Sequence, residues 1–357
     1  MSKIIEMPKS VMSLTANSEK MFFGSNGHGI ARYDVARYPV FLKLNAKMQG
    51  FFWKPTEIDM SQEKRSFDAM TKSEKHLFTS NLKRQILLDS IQGRAPSLVF
   101  LPYCTDPSLE NCIITWGFME SIHSESYTHI IRAIYPDPSE IFEDLPNIAE
   151  IADCATSISA AYDNMVNNPS KQNLYLALIA ANALEAIRFY VSFACTFSFL
   201  DRAMVEGSAK NVKFIARDET QHLALTQHIL KLLPEDDPEF KEIILDNRAA
   251  AEKIFLEAAE QEKLWAKYLF KNGPVIALNE KILSDYVDYL LARRMHAVGL
   301  KATVNYKGNH PLPWIEKHFN NSSHQVAPQE TELVSYLDAS TLNNDIKQHD
   351  FTKWSLD

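Results

Sequence analysis

Two stretches, 120-ESIHSESYTHIIR-132 and 215-IARDETQHL-223, decide the reading of this chain. Each carries a glutamate followed three positions later by a histidine: Glu120 with His123, and Glu219 with His222. On a helix, side chains three apart leave the same side, so each pair can grip one cation from one helix. The spacing alone decides little, because 11 histidines in 357 residues make about one such pair expected by chance.

Working outward, both pairs lie on apolar stripes. Ile113, Trp116, Glu120, His123, Tyr127, Ile130 and Ile134 follow one another in steps of three and four, on a helix predicted to start near Pro107. Val212, Ile215, Glu219, His222 and Ile229 do the same on a helix predicted from Ala209 to Leu232. Two more predicted helices each carry a lone carboxylate. One follows the capping-box signal Thr71-Lys-Ser-Glu74, runs through Phe78, Leu82, Ile86 and Asp89, and ends at Gly93 and Pro96. The other spans Asn173 to Val205 and holds Glu185 among apolar neighbours. Asp89 precedes the first Glu-x-x-His pair by 31 residues, and Glu185 precedes the second by 34.

Four carboxylates on buried faces would be costly unless cations held them together. One lone carboxylate and one Glu-x-x-His from each helix pair is the known ligand arrangement of ferritin-like di-metal bundles, recognised here from that pattern, with Asp89 standing where a Glu is usual. The expected fold is therefore all-α: a ferritin-like helical bundle with extra helices and a flexible C-terminal tail. Oxygen-rich ligands with one imidazole per ion suit two iron or manganese ions per chain better than zinc or copper. Tyr127 lies four residues after His123 and faces the same way; from spacing alone it is equally a core tyrosine with a hydrogen-bonded hydroxyl.

The rest of the chain narrows the class. Only 10 glycines favour long helices over many short strands. A net charge of −8 argues against a nucleic-acid partner, which calls for a basic face. Cys104, Cys112, Cys154 and Cys195 include no C-x-x-C pair, which argues against a zinc cluster and fits buried thiols in a reducing, cytoplasmic compartment. Residues 174–200 are apolar enough to resemble a membrane span. Glu185 and Arg188 in their middle would each cost about 2.5–3.5 kcal/mol at a bilayer centre, so a core helix is expected and no membrane. Gly24, Gly27, Gly29, Pro39, Gly50 and Pro55 make residues 1–65 read as an irregular segment packed on the core. The bundle is expected over 66–320, with two further helices near 239–271 and 279–298. Residues 321–357 read as a mostly disordered tail.

The segments LLDSIQGR (87–94), ESIHSESYTHIIR (120–132), NALEAIRFYVSFAC (182–195) and IARDETQHL (215–223) together resemble the small subunit of class I ribonucleotide reductase, nearest its class Ia branch. FFWKP (51–55) and VAPQETELVSYL (326–337) resemble its outer segments. The resemblance implies that Asp89, Glu120 and His123 hold one metal and Glu185, Glu219 and His222 the other, with Glu120 and Glu219 able to bridge. It implies a di-iron centre (manganese–iron remaining open) that reacts with molecular oxygen and leaves a radical on Tyr127, inside an apolar pocket of Phe189, Phe193 and Ile215. It also implies transfer through Trp53, hydrogen-bonded to Asp218, and through Tyr336 to a large subunit that reduces ribonucleoside diphosphates. The tail would dock on that subunit, and the chain would form a homodimer. Without the resemblance, Trp53 is an ordinary aromatic anchor, Asp218 a solvated helix charge, and Phe189, Phe193 and Ile215 plain core. Glu125 is an unexpected residue between His123 and Tyr127; five positions after Glu120, it should point away from the metals. Three other readings of the ligand pattern remain: an iron-storage cage, a di-metal oxygenase with its own small substrate, and a purely structural bundle.

Overall fold

The computed structural model describes residues 11–13, 20–24, 28–302, 306 and 308–319; within them the chain is helical, with no strand beyond two isolated bridges. Four helices form a closed ring. The Asp89 helix, Lys72–Gln92, packs on the Glu120 helix, Pro107–Ile134; that packs on the Glu219 helix, Glu206–Asp236; and the Glu185 helix, Lys171–Leu200, completes the ring back to the first. Their starts follow from local chemistry. Glu74 accepts the Thr71 N–H at 2.8 Å while the Thr71 hydroxyl accepts the Glu74 N–H, closing the capping box. Asp106 Oδ1 accepts the Ser108 and Leu109 amides, each at 3.0 Å, and Pro107 occupies the first turn, where its missing N–H costs nothing.

The Lys171–Leu200 helix is long and apolar enough to cross a bilayer by composition, but 94% of its most apolar window is buried by the other helices. It is the central strut of the core. All four cysteines are buried and unpaired.

Several helix limits differ from those expected. The first 65 residues are not irregular throughout: Pro39–Gly50 is a helix whose Phe41, Asn45 and Met48 are buried against the Glu120 and Glu219 helices. Pro39 acts there as a starter, with its fixed φ preformed for the first turn, rather than as a breaker. The Glu185 helix stops at Leu200 instead of Val205. No Gly or Pro marks that turn. It is made by Ala203 and Val205 at positive φ (52° and 46°), with the Val205 N–H donating to Ser66 Oγ at 2.8 Å. The Glu63 carboxylate then caps the next helix by accepting the Gly207 and Ser208 amides at 2.9 and 3.1 Å. Contacts from residues 63–66 thus impose a turn that local sequence does not announce. The span 239–271 is two helices, Glu239–Asp246 and Arg248–Leu269, divided where the Asn247 side chain bonds the Ile243 carbonyl at 2.8 Å. A helix at Ala149–Asn167 was not expected, although Ile151, Cys154, Ile158, Tyr162 and Met165 mark its buried face at helical spacing. The expected tail, residues 321–357 with Tyr336, lies outside the described residues.

Candidate metal centre

Six side chains meet where the four helices face one another. Asp89, Glu120, His123 and Glu219 offer atoms all within 4.8 Å of one another, and so do Glu120, Glu185, Glu219 and His222. All six residues are fully buried. Glu120 and Glu219 belong to both groups, and each divides its two oxygens between the halves. Glu120 Oε2 and Glu219 Oε1 lie 3.4 and 3.1 Å from His123 Nδ1. Glu120 Oε1 and Glu219 Oε2 lie 3.2 and 2.9 Å from His222 Nδ1. Each of these two carboxylates thus offers one oxygen to each half of the site.

The set fits a pair of cations on its own chemistry. Both oxygens of Asp89, Glu120 Oε2, Glu185 Oε2, Glu219 Oε1 and His123 Nδ1 are buried without a hydrogen bond. Buried polar atoms are almost always bonded, so a cluster of unbonded acceptors converging on one space points to positive charge supplied between them. The protonation pattern of the chain carries the same strain. Burial, then the neighbouring Glu120, push the Asp89 carboxyl well above the usual carboxylate range; burial and Glu219 do the same to Glu185. Burial opposes charge on the imidazoles, yet carboxylates outweigh it. Asp218, Glu120 and Glu219 hold His123 well above its ordinary value, and Glu219 and Glu120 push His222 up to about 9. Burial would also raise Glu219, but His222, Glu185 and His123 bring it below its usual value. Cations in this space would let the carboxylates ionise and the imidazoles lose their protons.

Tyr127 is buried, and its hydroxyl has no hydrogen bond. Burial, then the Asp89 carboxylate, raise its pKa well above the ordinary phenol range, so it stays a neutral phenol next to Asp89. The group its hydroxyl faces is Asp89, within electrostatic reach but without a well-formed hydrogen bond. Phe189, Phe193 and Ile215 are fully buried; Phe189 stacks on Phe193 at 6.0 Å between ring centres, but neither makes a ring pair with Tyr127 among the described residues. Glu125 is exposed and points away from the centre, as its spacing required.

Asp218 is fully buried, not a solvated charge. Its Oδ2 accepts the Trp53 indole N–H at 2.8 Å and lies 3.3 Å from His123 Nε2, linking a ligand imidazole to Trp53. The remaining predicted transfer residue, Tyr336, falls outside the described residues.

Three residues around the centre escaped the sequence reading. The Trp116 indole, taken for apolar packing, donates to Glu120 Oε1 at 2.8 Å. Gln92 donates to Glu185 Oε1 at 2.7 Å, and Tyr162 donates to Gln92 Oε1 at 2.7 Å. A signal for Gln92 was present: it follows Asp89 by three positions, just as His123 follows Glu120. Nothing in the sequence marks the π-turn Leu184–Arg188 that carries Glu185, a local widening often found at functional sites.

Comparison with known proteins agrees with this geometry. The family of ribonucleotide reductase small chains matches residues 32–311. The ribonucleoside-diphosphate reductase subunit beta of Haemophilus influenzae is 46% identical, over 95% of this chain and 96% of its own. The ribonucleoside-diphosphate reductase 1 subunit beta of Salmonella typhimurium is 43% identical, over 98% and 100%. In fold, the chain resembles the ribonucleotide reductase R2 subunit from Clostridium botulinum with a TM-score of 0.82 at 23% identity, covering 89% of this chain and 99% of that one. Of the readings left open by the ligand pattern, these relations select one: the chain belongs to the small-subunit family of class I ribonucleotide reductase.

Proposed function

We propose that this small subunit of ribonucleoside-diphosphate reductase stores an oxidising equivalent as a radical on Tyr127. Asp89, Glu120 and His123 would hold one ion and Glu185, Glu219 and His222 the other, with Glu120 and Glu219 offering an oxygen to each. When bound, the ion pair supplies oxidising power drawn from molecular oxygen. The chain does the rest. The Tyr127 phenol gives up one electron and its hydroxyl proton, and the Asp89 carboxylate beside it is the group that accepts the proton. Phe189, Phe193 and Ile215 are the apolar wall that keeps water and reductants from the phenoxyl. Trp53, tied through Asp218 to His123, is the first stepping residue outward, and Tyr336 is the next. The tail 321–357 docks on the large subunit, where ribonucleotides are reduced. The ligand types suit iron and manganese alike; the family reading favours iron in both positions, with manganese–iron the alternative.

The same reading gives the homodimer a surface. Ile114 and Phe118 on the Glu120 helix are each 52% exposed, and Phe52 stacks on Phe118 with ring centres 5.9 Å apart. An exposed apolar face of this kind suits a second copy of the chain.

The observation that carries the proposal is the division of the oxygens of Glu120 and Glu219 between two imidazoles, with an unbonded phenol alongside. Electron paramagnetic resonance on iron-loaded, oxygen-exposed protein tests it. Wild type should give a tyrosyl signal that Tyr127→Phe lacks; identical spectra from both at full metal loading would remove Tyr127 from this role. Truncation after Asn321 should keep the signal and abolish turnover with the large subunit.

A further inference from the structure

The two lone carboxylates of the centre are held differently. No amide or backbone donor holds either oxygen of Asp89, whose neighbour is the Tyr127 phenol. Glu185, by contrast, has Oε1 occupied by the Gln92 amide at 2.7 Å and only Oε2 without a hydrogen bond. Gln92 is itself fully buried and has one direct contact at each end of its amide: its Oε1 accepts the Tyr162 hydroxyl, its Nε2 donates to Glu185. The phenol fixes which end of the amide faces the centre. With the carbonyl end engaged by an O–H donor, the NH2 end must point at the carboxylate; without that donor the amide is free to flip and set oxygen against oxygen.

The relay is anchored on rigid parts. Tyr162 projects from the buried face of helix Ala149–Asn167 and is 5% exposed. Its ring packs edge-on against Phe100, which stacks on Trp116, the indole that donates to Glu120 Oε1. On the far side of the same π-turn, Arg188 is held by Gln261 at 2.6 Å and by Glu262 at 3.4 Å. Glu185 thus sits on a widened turn that would be soft if left alone and is fixed from both flanks.

We propose that Gln92 and Tyr162 are positioning residues for the Glu185 half of the centre: they confine Glu185 to a single metal-facing oxygen and thereby secure the ion held with His222, while the ion held by Asp89 and His123 does not depend on them. This rests on the two-ion reading above. Loss of an outer partner of a metal ligand typically weakens metal binding about 10–100-fold, and here the loss should fall on one ion of two.

The test is an anaerobic titration with Mn(II) alone, followed by paramagnetic resonance, which separates free, isolated and coupled ions. Wild type should take up two ions per chain and show the coupled pair. In Gln92→Met, which keeps the side-chain length and removes both hydrogen bonds, the first ion should bind as in wild type. The second should bind about 10–100-fold more weakly, so that at equal loading the isolated-ion signal replaces the coupled one. Tyr162→Phe, which removes one hydroxyl and keeps the ring packing, should shift the second step in the same direction by a smaller factor. It also decides the matter should Gln92→Met lack the wild-type circular dichroism. Titrations indistinguishable from wild type in the folded variants, or an equal weakening of both ions, would overturn the inference while leaving the centre standing. A wild type that binds no Mn(II) would instead overturn the two-ion reading itself.

Discussion

The two halves of the centre use the same ligand types and are built for different ends. The Asp89 half is linked outward. Its carboxylate is clamped by no amide or backbone donor and lies beside the Tyr127 phenol, and its imidazole continues through Asp218 to Trp53. The Glu185 half is locked inward. Its carboxylate is clamped by Gln92 and Tyr162, its π-turn is gripped through Arg188, and His222 Nε2 has no hydrogen bond leading away. On this account one half carries the oxidising equivalent off the metals, and the other keeps the metals in place.

The comparison can be broken most sharply at the residues both halves share. Glu219→Ala should abolish binding of both ions, whereas Asp89→Ala should cost chiefly one; metal analysis after exhaustive loading gives the ratio per chain. Next in size, Trp53→Phe should bring turnover with the large subunit to background while leaving two metals per chain, because only the outward half loses a part. Metal analysis and the reductase assay on one preparation check both arms.

The inward half is tested through its anchor. Glu262 lies between the guanidiniums of Arg84 and Arg188, all three buried. Glu262→Ala leaves two buried cations without their carboxylate and should cost about 3–5 kcal/mol in urea unfolding. A smaller effect is expected from pH. Ligation requires neutral imidazole, and the surrounding carboxylates push His222 up to about 9 and hold His123 above its ordinary value as well. Apparent metal affinity should therefore climb with pH from neutral to about 9, by roughly tenfold per pH unit for each proton displaced; competition against a chelator of known affinity measures it, and an affinity unchanged over this range would contradict it. Smallest of all, Thr71→Ala should remove about 1 kcal/mol by opening the capping box of the Asp89 helix, with the metal ratio unchanged.

Much of this was legible in the chain. The four carboxylates and two histidines sit at positions where helical period and apolar neighbours agree, and their convergence was expected once that order was matched to the ferritin-like ligand arrangement. What stayed hidden has common physical causes. The stop at Leu200 and the positive φ of Val205 come from Glu63 and Ser66, far away in sequence. The helix at Ala149–Asn167 has a regular apolar stripe but no side-chain cap to announce its start. Gln92 and Tyr162 are polar groups on different helices, and only the packed structure makes one the partner of the other. Trp116 is one residue doing two things, filling the core with its ring and holding Glu120 with its N–H; its apolar character masked the second.

The central claim is that two ions share Glu120 and Glu219. Anomalous X-ray scattering from crystals of the metal-loaded protein tests it most directly. The account predicts two peaks, one among Asp89, Glu120, His123 and Glu219 and one among Glu120, Glu185, Glu219 and His222. A single peak, or metal bound elsewhere with this space filled by water, would contradict it.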